Sequence, residues 1–181
     1  MLKEQILHHR RSIRLADYDY SAEGGYYITI VTQGRVCLFG EVIDGIVQLN
    51  EFGKIVWEEW YRTAKLRPNV ELMEDEFVVM PNHVHGIIWL NDLPGRGAAR
   101  CALTGGQYGV MNPDSLPVIV RAFKSAATNR INLLRGSPGV SIWQRNYYEH
   151  VISSERDYDN IANYIYSNPF NWDADAENQK G

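Results

Sequence analysis

The sequence predicts an α+β fold, an antiparallel sheet with helices on one face and an additional C-terminal helix that carries Tyr164. Three observations support this. Runs rich in β-branched and aromatic residues follow Gly24-Gly25 and fill much of Val70 to Leu90. Two amphipathic stretches, stopped by Pro68 and Gly136, separate the strand-like runs. A last helical stretch ends at Asn168-Pro169.

Taken in order, Tyr26 to Val36 reads as a first strand, and Cys37 to Leu49 as a hairpin turning at Asp44-Gly45. Asn50 is a suitable cap for a helix to about Leu66, with Phe52, Ile55, Val56, Trp60 and Ala64 at helical spacing. Val70 to Leu90 supplies two strand segments, with turns near Glu74-Asp75-Glu76 or Pro81-Asn82. The glycine-rich stretch 91–114 reads as a long surface loop. Ser115 to about Leu134 is a second amphipathic helix, with Val118, Ile119, Ala122, Phe123, Ala126, Ile131 and Leu134 as its apolar stripe. Ile142 to Ile152 is strand-like, and Ser153-Ser154-Glu155 opens the third helix. This order matches a ferredoxin-like split β-α-β arrangement with an extra helix.

The chain has 181 residues, 45% hydrophobic and 22% charged, with a net charge of −4. That length fits one catalytic domain over residues 1–172, with a basic arm at 1–20 and an acidic tail at 173–181. With neither an apolar run long enough to span a membrane nor a signal-peptide core, the expected location is cytoplasmic. Cys37 and Cys101 form no metal or disulfide pattern. The acidic balance argues superficially against nucleic acid. Its distribution qualifies that: Arg121, Lys124, Arg130, Arg135 and Arg145 face only Glu149 between Ser115 and His150, and Lys3, Arg10, Arg11 and Arg14 cluster near the N-terminus.

The most informative stretch is His83-Val84-His85. Side chains alternate along a strand, so these imidazoles share one face, and neutral imidazole is a common metal ligand. The competing reading is a pair of core histidines satisfied by neighbouring hydrogen bonds. Tyr164 and Asn168 are four apart on the last helix, hence on one face. A tyrosine is a plausible nucleophile toward a phosphodiester, since a phosphotyrosine conserves bond energy for rejoining. A divalent ion held by His83, His85 and the Asn168 carboxamide would polarise the phosphate. Tyr147, Tyr148, Tyr158 and Tyr166 are the competing tyrosines, and Tyr166 points off the face shared by Tyr164 and Asn168.

Pro81-Asn82-His83-Val84-His85, Val120-Arg121-Ala122-Phe123-Lys124-Ser125, the segment from Trp143 to Ile152 and Tyr164-Ile165-Tyr166-Ser167-Asn168-Pro169 occur in that order. Together they resemble the REP-associated branch of the single-tyrosine HUH transposases, over roughly Arg10 to Trp172. The resemblance implies a single-stranded DNA partner with a palindromic, REP-like hairpin and Mg²⁺ or Mn²⁺ as cofactor. It also implies Tyr164 as the nucleophile that leaves a 5′-phosphotyrosine and a free 3′-hydroxyl. Insertion-sequence transposases of the wider family usually have Gln where this chain has Asn168; His150 is a possible substitute ligand. Arg121, Lys124, Arg130 and Arg145 would form a basic track, with Tyr147, Tyr148 and Trp143 as stacking platforms. The arm with Arg10, Arg11 and Arg14 resembles the family's segment for reading bases beside the hairpin. The expected assembly is a monomer or a homodimer. A relaxase or replication initiator, a metal phosphoesterase using water, and a non-catalytic hairpin-binding descendant are the alternatives.

Overall fold

Alternation along two strands, β1 (Gly24–Val31) and β6 (His83–Leu90), governs the architecture. The computed structural model describes residues 18–92 and 112–178. The basic arm with Arg10, Arg11 and Arg14, Cys101 and most of the glycine-rich loop lie outside the described residues, as do residues 179–181. β1 and β6 pair antiparallel at the centre of a five-stranded sheet, with Thr29 opposite His85 and Val31 opposite His83. β4 (Val70–Glu71) and β5 (Phe77–Val79) pair successive parts of the far edge of β6, and β7 (Tyr148–Val151) pairs the far edge of β1. β2 (Gly40–Ile43) and β3 (Ile46–Leu49) form a separate hairpin whose turn residues Asp44 and Gly45 have φ of 52° and 74°. Two left-handed residues make the tight hairpin turn that Asp-Gly favours.

Helices α1 (Glu51–Leu66) and α2 (Leu116–Leu134) pack together on one face. There Ile28, Ile30, Val84 and Ile88 meet Trp60, Ile119 and Phe123 in the main core. Asn50 caps α1 by accepting from the amides of Phe52 at 2.9 Å and Gly53 at 3.0 Å. Helix α3 (Glu155–Ser167) covers the opposite face through a smaller cluster of Tyr27, Ile87 and Ile165. The expected α+β sheet with a C-terminal tyrosine helix is therefore the fold observed. No helix among the described residues is long and apolar enough to cross a membrane.

The structure corrects two boundaries and one helix stripe. The first strand stops at Val31, where Gly34 and Arg35 take positive φ in a short 3-10 turn that turns the chain away. Residues 142–147 are not continuous with β7: Trp143 forms an isolated antiparallel bridge with Thr32, where Gln144 N–H donates to the Val31 carbonyl, and Lys124 donates to the carbonyls of Gln144 and Arg145. The buried stripe of α2 runs through Leu116, Ile119, Val120, Phe123, Ala127 and Ile131, leaving Leu134 52% exposed. The sequence pattern had merged two adjacent stripes, and the contact of Phe123 with Trp60 and Trp143 selects one.

Candidate metal and tyrosine site

On the α3 face, β6 presents His83 and His85, both fully buried, and β1 presents Tyr27 and Thr29 beside them. The two Nε2 atoms lie 2.9 Å apart. Burial holds both imidazoles well below their ordinary pKa range, and at His85 the adjoining His83 acts in the same direction. Neutral rings keep lone pairs for ligation. Each Nδ1 is held from behind: His83 by Asn82 Oδ1 at 2.7 Å, His85 by Tyr27 Oη at 2.8 Å and Thr29 Oγ1 at 2.9 Å. Such partners orient metal-binding histidines.

After α3 the chain enters a 3-10 helix, Pro169–Ala174, and returns toward the sheet. The return sets Asp175 against the histidines, so that one ligand atom from each of His83, His85 and Asp175 lies within 4.8 Å of the others. Asn168 Nδ2 donates to Asp175 Oδ2 at 2.9 Å, while Asn168 Oδ1 is buried beside the His83 imidazole without a well-formed hydrogen bond among the described residues. A buried acceptor left poorly paired is costly. A cation at this point would satisfy it, and two imidazole nitrogens with two oxygens form a donor set suited to a divalent metal ion. Residues 173–178, read in sequence as part of an acidic tail, thus contribute a carboxylate here. Their only local signal was a density of acids.

Tyr164 stands on α3 with its ring centroid 5.1 Å from that of His85, edge to face, and 46% exposed. Partial burial raises its pKa, and the nearby Asp175 adds to the rise. Tyr166 is far more exposed, and its ring lies 6.4 Å from that of Phe170 in a tilted pair. His150 does not join the cluster; its Nε2 meets Asp157 Oδ2 at 2.9 Å.

The nucleic-acid candidates divide. Arg121, Lys124, Arg145 and Tyr147, together with Trp143, line a cleft of about 460 Å³ between α2 and residues 141–147, on the other layer of the sheet. Lys124 Nζ donates to the carbonyls of Gln144 at 2.7 Å and Arg145 at 3.2 Å, and burial lowers its pKa to about 8. Arg130 is outside this cleft, its guanidinium bound to Glu58 at 2.6 Å and Glu59 at 2.8 Å. Tyr148 is on the opposite face of β7 from Tyr147, with its ring 6.0 Å from Tyr27, beside the histidine site.

Paired strand histidines, a returning carboxylate and a tyrosine helix on one face of an antiparallel sheet define an α+β protein with a metal-type site beside a phenol. The chain belongs to the same family as an uncharacterized protein of Haemophilus influenzae, to which it is 40% identical over 171 residues, covering 93% of each chain. It is 27% identical over 152 residues to a second Haemophilus influenzae protein, named "Putative REP-associated tyrosine transposase", covering 83% of this chain and 73% of that one. A solved REP-associated tyrosine transposase bound to a REP hairpin shares the fold, with a TM-score of 0.58 and 21% identity over 88% of this chain and 73% of the other. No family model matches the chain. The His83, His85 and Asp175 cluster and the similarity to the transposase protein support a metal-dependent, nuclease-like activity.

Proposed function

We propose that this chain is a single-tyrosine HUH-type DNA nicking and joining enzyme, acting in the cytoplasm on single-stranded DNA beside a palindromic, REP-like hairpin. The observation that carries the reading is the approach of the Tyr164 ring to His85, next to the buried Asn168 oxygen beside His83. His83, His85, Asn168 and Asp175 would hold Mg²⁺ or Mn²⁺, which would polarise the scissile phosphate and favour the phenolate. Tyr164 Oη would attack phosphorus as the P–O3′ bond breaks. The phosphate would remain on the tyrosine as a 5′-phosphotyrosine, and the 3′ oxygen would leave as a hydroxyl after taking up a proton. Attack by that hydroxyl, or by another 3′ end, would reverse the step and rejoin the strand.

The cleft with Arg121, Lys124 and Arg145 offers charge to the DNA backbone, and Tyr147 and Tyr148 offer stacking surfaces on either side of edge strand β7. A strand passing around that edge would connect the cleft with the tyrosine. The N-terminal residues Arg10, Arg11 and Arg14 would read bases beside the hairpin. All the groups named for the chemistry belong to one chain, so a monomer would suffice, and a homodimer is the competing assembly.

The test is incubation of the protein and a Tyr164→Phe variant with end-labelled single-stranded hairpin DNA, with Mn²⁺ or chelator, followed by a denaturing gel. A metal-dependent covalent adduct that the variant loses is the expected result. Full cleavage by the variant would establish a water-using phosphoesterase instead. Hairpin binding with no cutting would establish a non-catalytic binding protein.

A further inference from the structure

Asn82 is fully buried immediately before His83, and its hydrogen bonds determine where the His83 proton sits. Its Nδ2 lies 3.1 Å from the Arg35 carbonyl oxygen and 2.7 Å from the Glu177 carbonyl oxygen. Carbonyl oxygens only accept, so the group facing both must be the NH₂. Turning the amide over would set its oxygen against two others. Asn82 Oδ1 therefore faces His83 Nδ1 at 2.7 Å, and it too can only accept.

We propose that Asn82 is a positioning residue that locks His83 in the Nδ1–H tautomer, presenting the Nε2 lone pair to the divalent cation of the site. The proposal rests on the metal-dependent reading above. His85 is held differently. Its Nδ1 partners are the hydroxyls of Tyr27 and Thr29, which donate or accept by rotation.

In the metal-free protein the bonds then run in one direction. Thr29 Oγ1 donates to Tyr27 Oη at 3.1 Å, Tyr27 donates to His85 Nδ1, His85 Nε2–H donates to His83 Nε2 and His83 Nδ1–H donates to Asn82. For both Nε2 atoms to serve as ligands, only the His85 proton has to move, from Nε2 to Nδ1, where Thr29 or Tyr27 accepts it. One histidine is fixed and the other adjusts, with no net uptake or release of a proton. The anchoring carbonyl of Glu177 is itself placed by the ion pair of Glu177 with Arg35 Nε at 2.7 Å.

The test is nitrogen-detected NMR of the full chain with ¹⁵N-labelled histidine, metal-free, for the wild type and Asn82→Leu, with Mn²⁺ affinity measured by calorimetry. The wild type is expected to show His83 only as Nδ1–H. Asn82→Leu is expected to populate the Nε2–H form and to bind Mn²⁺ roughly 10–100-fold more weakly. Nε2–H at His83 in the wild type would overturn the proposal, and that spectrum needs no variant to fold. So would a variant that keeps both tautomer and affinity. A wild type with the Nδ1–H signature that takes up no Mn²⁺ would overturn the metal-dependent reading instead, so the two failures are told apart.

Discussion

Gly86 follows His85 on β6 and turns toward α1, where the absence of a side chain lets Trp60 close onto the sheet. A Cβ at Gly86 would lie 2.6 Å from Trp60 Cζ2, 2.8 Å from Cη2 and 2.9 Å from Phe77 Cδ2. Carbon atoms rest at about 3.5–4.0 Å, so the indole would have to retreat by about 1 Å. It has little room, being stacked on Phe77 at 4.3 Å and set edge-on to Phe123 at 5.4 Å. Gly86 is not among the positive-φ glycines, so alanine adds no backbone strain and the effect is one of packing. Overpacking of this kind costs about 1–3 kcal/mol, and the lower entropy of the unfolded chain returns about 0.4–1 kcal/mol. Gly86→Ala is therefore expected to lose about 1–2 kcal/mol in urea denaturation, a fall in Tm of roughly 2–8 °C for a chain of this size. Trp60→Phe in the same background makes room, and Trp60 Nε1 has no hydrogen-bond partner to forfeit among the described residues. The double variant should be more stable than the sum of the single effects by at least about 0.5 kcal/mol. Wild-type stability in Gly86→Ala, or strict additivity in the pair, would refute the packing argument.

Lys124 gives a pH signature: its ammonium is charged below about 8 and neutral above it. Single-stranded DNA affinity, followed by fluorescence anisotropy, should fall between pH 7 and 9 in the wild type and stay flat in Lys124→Arg; an equal fall in both would remove Lys124 from the DNA track. Arg130→Ala should cost about 1–3 kcal/mol of stability, because it leaves Glu59, 3% exposed, with Arg62 at 3.3 Å as its remaining ion pair. The same change should leave DNA affinity within about two-fold, whereas Arg145→Ala should weaken binding and reduce the salt slope by about one. Asp175→Asn removes the carboxylate of the histidine cluster and should weaken Mn²⁺ binding at least roughly ten-fold by calorimetry; unchanged affinity would show that Asp175 is no ligand.

What the sequence made legible was what local period encodes. Alternation on β6 sends His83 and His85 one way and Val84, Gly86 and Ile88 the other, and four-residue spacing puts Tyr164 and Asn168 on one side of α3. Both patterns are visible without knowing the fold. Asn82 beside Pro81 looked like turn chemistry, Tyr27 and Thr29 looked like ordinary strand residues, and Asp175 looked like one acid in a solvated run. Their parts depend on contacts that no local pattern carries: Tyr27 reaches His85 across paired strands, and Glu177 meets Arg35 from 142 positions away. Arg130 illustrates the converse, since its place in a basic run gives no sign of the Glu58 and Glu59 that α1 sets against its guanidinium.

The two faces of the sheet differ for a related reason. Among the described residues the face toward α1 and α2 buries most of the apolar side chains, whereas the α3 face has a small buried centre of Tyr27, Ile87 and Ile165 with Val78, Trp89, Ile152, Tyr158 and Ile161 partly buried around it. Beside that small centre lie two neutral imidazoles and an Asn168 oxygen without a well-formed hydrogen bond among the described residues. Polar groups buried in this density are tolerable only when each finds a partner, and the hydrogen-bond chain from Thr29 to Asn82 satisfies all of them except that oxygen. That chain lies within β1, β6 and Asn82, so the covering helix is held by the apolar contacts of Tyr158, Ile161 and Ile165 with the sheet. A substitution that spares the main core but empties this small centre, such as Ile165→Ala, should therefore loosen α3 before it unfolds the sheet, so that hydrogen exchange rises first at the α3 amides.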